Sequence, residues 1–221
     1  MTLREKEDDV FGKYTSQIVR DGALGRAYES VPRRLLVVLK EPNDESGYLL
    51  ENGVDFRDFA RDHKRRATWD NVARWSALFQ NPSIDIGDID LSSKESRFQY
   101  LQCTAVANLK KIPGASRSSY REISAAAKEN WELLREQFQL YRPNLTIAGG
   151  VFGIIKAQTG RAEIPQSKGR FPYFKDEEFG VCIDFYHPQC RRSKTELFGF
   201  LRDQLTFHGF CDQRFNNGTS L

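Results

Sequence analysis

Four short stretches carry the residue types most able to do chemistry. They are "KEPND" at 40–44, "ANLKKIPG" at 107–114, "AGGVFG" at 148–153 and "YHPQCRR" at 186–192. Together they hold a carboxylate (Glu41), an amide (Asn108), paired glycines and one of only three histidines (His187), with basic residues beside them. A carboxylate can orient an attacking water and stabilise a cation. A neutral histidine can donate a hydrogen bond to a developing oxyanion, and an asparagine amide offers a donor and an acceptor together. Each residue also has an ordinary reading. Glu41 can be a loop carboxylate or a helix cap, with Asp44 the alternative base. Asn108 can simply end a strand, and His187 can be a core histidine bonded to backbone.

The elements that must position these groups alternate along the chain. "RRLLVVLKEPN" holds a continuous apolar run, Leu35 to Leu39, closed by Pro42, as expected of a strand buried on both faces of a parallel sheet. Three more strands are expected in "FQYLQCTAVANL", "RPNLTIAGG" and "GVCIDFYHP". Helical spacing is read over 9–30 (Phe11, Tyr14, Ile18), in "VDFRDFARDH", and in "TWDNVARWSALF". The strongest stripe is Ile123, Ala127, Trp131, Leu134 and Phe138, in one helix running to Tyr141. Ser193 and Glu196 form a capping box that opens a last helix. This predicts an α/β fold: one three-layer α/β/α domain over 1–221, core about 33–205, with a short, mostly parallel, four-stranded sheet. Ligands of such sheets bind beyond the carboxyl ends of the strands, where the four stretches fall.

Composition limits the possibilities. The chain has 221 residues, 39% hydrophobic and 29% charged, a globular balance rather than a disordered one. The formal charge of +3 is too small to imply a nucleic-acid partner by itself, so clustering carries that argument. The basic segments are "RDHKRR", "KKIPGASRSSYR", "SKGR" and "CRRSK". No apolar run reaches about 18 residues and the N-terminus has no signal-like apolar core; a cytoplasmic protein, a monomer without a membrane partner, is the expectation. The four cysteines have no metal-ligand spacing, so free thiols and no metal are expected.

The four stretches, in this order and each at a strand end, resemble the uracil-DNA glycosylase superfamily over about residues 33–205. In that family one strand ends at an acidic or amide residue and a proline, the next at an asparagine, the third at a glycine, and the last at His-Pro before a loop that enters DNA. The resemblance implies a monofunctional DNA glycosylase, without a cofactor, that flips a base out of DNA and cleaves its N-glycosidic bond. Glu41 and His187 become the catalytic pair, and Pro42, Asn43, Asp44 and Asn108 line the base pocket. Tyr48 and Phe56 are candidates to stack on the base. DNA contacts are expected from Lys110, Lys111, Ser116, Ser118, Gly150, Gln189, Arg191 and Arg192. Arg191 is placed to fill the gap left by the flipped base.

Two departures bear on substrate. Uracil-specific members carry a tyrosine after the motif proline, where it excludes 5-substituents; Asn43 stands there. The usual leading glycine is also missing, with Leu39 and Lys40 in that region. A roomier pocket for a 5-substituted pyrimidine is therefore expected, such as hydroxymethylated or glucosylated cytosine of viral DNA. Ordinary uracil removal and a silent DNA-binding module are the alternatives.

Overall fold

The computed structural model describes residues 1–44, 47–62, 67–114, 119–164 and 171–211. Its centre is a six-stranded sheet: β1 (Gly22–Ala23), β2 (Leu35–Leu39), β3 (Thr104–Asn108), β4 (Leu145–Gly149), β5 (Tyr173–Asp176) and β6 (Gly180–Phe185), in the order β1-β3-β2-β4-β6-β5. β3, β2, β4 and β6 are parallel to one another, and β1 and β5 close the edges antiparallel. The helices are α1 (Leu3–Phe11), α2 (Tyr48–Glu51), α3 (Phe56–Asp62), α4 (Ala67–Gln80), α5 (Lys94–Leu101), α6 (Tyr120–Glu129), α7 (Trp131–Tyr141), α8 (Phe152–Thr159) and α9 (Lys194–Phe207).

The unbroken run in β2 is buried at every position. A strand sends alternate side chains to opposite faces. Leu35, Val37 and Leu39 therefore join Trp75, Leu78, Leu101 and Leu201 on one face, while Leu36 and Val38 join Ile123, Leu134, Phe138 and Ile155 on the other. Helices thus cover both faces, the three-layer arrangement expected.

The chain departs from the sequence reading in five places. The sheet has six strands rather than four, because β1 is two residues long and β5 reads Tyr-Phe-Lys-Asp, neither an apolar run. The segment 9–30 is not one helix. A Thr2–Glu5 capping box starts α1 early and the helix stops at Gly12, and Gly22, at φ 142°, then allows β1 to form. Residues 98–101 belong to α5, capped by Ser93, so the second strand is only Thr104–Asn108. The long helix divides into α6 and α7 at Asn130, whose φ −107° and ψ 18° break the helical path. The short helices α2 and α8 carry little apolar periodicity and were not expected. The Ser193–Glu196 box does cap α9.

From β2 the chain crosses to β3 on one side and only then to β4 on the other. The strand order therefore reverses at β2, and in such sheets ligands bind beyond the carboxyl ends of the strands at that point. Glu41 and Gly150 stand at the ends of β2 and β4.

Candidate active site

Beyond the strands, the β2 and β3 chains stay zipped together. Leu109 N–H donates to Leu39 O and Lys110 N–H to Lys40 O, both at 2.9 Å. Gly114 N–H then donates to Pro42 O (3.0 Å) and Asp44 N–H to Gly114 O (3.1 Å). This register brings Lys110 beside Glu41. Lys110 Nζ donates to Glu41 Oε2 at 2.6 Å, with the carboxylate side chain only 4% exposed and the lysine 18%. The carboxylate lies flat against Gly114, where any Cβ would fall inside its atoms.

His187 follows β6 in a tight turn, with Cys190 N–H donating to His187 O (2.9 Å). Gln189 N–H donates to His187 Nδ1 (3.2 Å), which places the ring proton on Nε2 as a donor. Burial, and then the nearby charge of Lys40, pull the His187 pKa down to about 4, so the ring is neutral at pH 7. Asn71 of α4 anchors the turn, its amide donating to Pro188 O at 2.7 Å.

A chain of neighbours connects the two groups. Glu41 is adjacent to Lys40, whose Cε lies near Gly150 and whose charge acts on His187. Gly149 packs against Leu39 and Pro188. Gly150, at φ 72°, adopts the left-handed turn that glycine tolerates, and its N–H donates to Ala148 O and Phe185 O. The carboxyl ends of β2 and β6 thus carry a carboxylate and a neutral imidazole, with Lys40 and Lys110 beside them. Such a set can orient water, stabilise positive charge and donate a hydrogen bond to an anion.

Asn108 and Lys111 face elsewhere. Asp21, fully buried, accepts from both the backbone N–H (2.7 Å) and Nδ2 (3.0 Å) of Asn108. It also accepts from Lys111 Nζ (2.6 Å) and Gln137 Nε2 (2.9 Å). A carboxylate only accepts, so Asp21 fixes which way the Asn108 amide turns. The expected phosphate contact of Lys111 is corrected: its side chain is 2% exposed, its ammonium is shared between Asp21 and Gln137, and burial pulls its pKa down.

The other expected residues divide. Pro42 is buried and Asn43 is exposed, both directly after Glu41. Asp44 Oδ2 accepts from Leu49 N–H (2.5 Å), so this carboxylate holds the start of α2. Tyr48 is 56% exposed. Phe56 does not stand ready to stack on a base: it packs on Phe59 and edge-on to Trp69. Arg191 is exposed, with no partner among the described residues. Arg192 lies over the Tyr186 ring (4.7 Å) and 3.9 Å from Glu196. Gln189 reaches His187 through its backbone. Ser116 and Ser118 lie outside the described residues, as do part of the basic segment "RDHKRR" and all of "SKGR".

Sequence reasoning missed Lys40, Asp21, Asn71 and Gly114. Lys40 registered only as a departure from a glycine, although its place next to Glu41 could have flagged it. Asp21, Asn71 and Gly114 carry no local signal, because their roles come from contacts across the fold. Among the described residues no group of three or more His, Cys, Asp or Glu side chains could hold a metal ion. No described helix is long and apolar enough to cross a membrane. Comparison with protein-family models and with curated proteins finds no match to this chain.

Proposed function

We propose that the chain is a monofunctional DNA glycosylase that removes a 5-substituted pyrimidine, a modified cytosine of viral DNA, and leaves an abasic site. The observation that carries this reading is that Glu41 follows β2 and neutral His187 follows β6, both at the carboxyl ends of the parallel strands. Glu41 orients a water toward C1′ of the flipped nucleotide and takes its proton as the C1′–O bond forms. The N-glycosidic bond breaks, and its electron pair leaves with the base. Positive charge on the sugar faces the Glu41 carboxylate, and negative charge on the pyrimidine O2 accepts from His187 Nε2–H.

Glu41 is preferred over Asp44 because the Asp44 carboxylate is held by Leu49 N–H. Exposed Asn43 leaves room at the pocket mouth and offers a polar contact to a substituent. Lys40 and Arg191 supply positive charge for the DNA backbone. The proposed role is defence against a virus that decorates its own DNA.

The test incubates the protein with DNA containing uracil, unmodified cytosine, hydroxymethylcytosine or glucosylated hydroxymethylcytosine, and counts alkali-labile abasic sites. Sites on the modified strands alone support the full reading. Sites on uracil alone reduce it to a repair glycosylase. Binding without sites on any strand makes the protein a silent DNA-binding module.

A further inference from the structure

Lys110 stands where sequence pattern suggests a phosphate contact, yet its ammonium points inward. It reaches Glu41 Oε2 at 2.6 Å, whereas its other carboxylate neighbour, Glu122, is 3.9 Å away and 69% exposed. The backbone bond from Lys110 N–H to Lys40 O fixes the lysine alongside the end of β2. On the other side of the same carboxylate, Gly114 comes so close that no side chain fits between them. Gly114 is itself pinned by its bonds to Pro42 O and Asp44 N–H. The carboxylate is therefore gripped at one oxygen and backed by a bare Cα.

We propose that Lys110 and Gly114 are the positioning residues of Glu41, a role that rests on the glycosylase reading. The lysine occupies Oε2, which leaves Oε1 as the oxygen that meets the water. The glycine lets the carboxylate lie flat against it. A misplacement of about 1 Å in a reacting group can cost about 10²-fold in rate, which sets the expected size of the effect.

The experiment measures single-turnover base release and DNA affinity for the wild type, Lys110→Ala, Lys110→Arg and Gly114→Ala, with folding checked by circular dichroism. Both alanine variants should lose about 10²-fold in rate while affinity changes less than about threefold. Propylamine replaces the atoms that Lys110→Ala removes and should restore part of its rate, which a purely structural lysine would not show. Lys110→Arg keeps the charge and should fall between wild type and alanine. Loss of affinity with an unchanged rate would make Lys110 a phosphate contact and overturn the proposal. So would a Lys110–DNA adduct trapped by borohydride. A wild type that releases no base from any DNA overturns the glycosylase reading, and the positioning role with it; an active wild type matched by its variants overturns the positioning role alone.

Discussion

Lys110 and Lys111 are adjacent in sequence and leave the end of β3 in opposite directions across the sheet. Lys110 turns toward β2 and meets Glu41, in a pair that keeps partial access to solvent. Lys111 turns toward β1 and meets Asp21, in a pair with side chains 2% and 0% exposed. The buried pair is fully surrounded: Asp21 also takes Asn108 and Gln137, Lys111 also donates to Gln137, and Gln137 Nε2 reaches the Tyr141 hydroxyl. These side chains bond to one another within the fold. Beside Glu41, one oxygen is held by Lys110 alone among the described residues. A lysine and a carboxylate thus build a structural ion pair on one side of β3 and the proposed site on the other. What separates them is the number of protein partners left around the carboxylate.

The largest effect should come from Glu41→Gln, which removes charge and little shape. Base release should fall by about 10²–10⁴-fold, the usual worth of a positioned general base, with DNA affinity nearly unchanged. Single-turnover assays read this directly, and a variant as fast as wild type would take Glu41 out of the chemistry.

On the buried side, Lys111→Met should act on stability. It leaves the Asp21 carboxylate without its cation, and breaking such a pair costs about 3–5 kcal/mol. Urea unfolding should show the loss. The salt dependence of DNA binding should stay as in the wild type, since a buried ammonium displaces no counterion from phosphate. A flatter salt slope would show that Lys111 emerges to meet DNA.

His187→Ala should slow base release by about 10²–10³-fold, as loss of one oxyanion donor does. The histidine also leaves a mark on stability. Its folded pKa of about 4 lies below the ordinary 6.5. Between these values the unfolded chain binds more protons than the folded one, so this contribution is present above pH 6.5 and is lost as pH falls toward 4. Denaturation at a series of pH values should show that slope in the wild type and a shallower one in His187→Ala.

Much of this was legible because burial writes long patterns. The all-apolar β2, the stripe of α6 and α7, and the Ser193 cap each announce themselves over several residues. The edge strands did not, since two residues of β1 and the half-polar β5 are fixed by pairing rather than by pattern. In the proposed site, the positions of Glu41 and His187 at strand ends beside prolines were readable. The opposite fates of Lys110 and Lys111 were not. "NLKKIPG" gives two equal lysines, and only the register Lys110–Lys40 and the distant Asp21 distinguish them. Phe56 misled for a similar reason, because an aromatic near a crevice and an aromatic packed on Phe59 and Trp69 look alike in sequence.

The smallest effect sharpens the comparison most finely. Glu122 is the second carboxylate near Lys110, at 3.9 Å and 69% exposed. If the lysine were merely an exposed charge among acids, both carboxylates would matter alike. Exposed ion pairs are worth about 0–1 kcal/mol and are screened by salt, whereas the Lys110–Glu41 contact is shorter and closes over a buried carboxylate. Glu122→Gln should therefore change stability by less than about 1 kcal/mol and leave base release within about threefold of wild type. Measured beside Lys110→Ala, it isolates the partner that counts. A loss in Glu122→Gln as large as that in Lys110→Ala would mean that the lysine answers to the surface, and the distinction between the two sides of β3 would lose its chemical content.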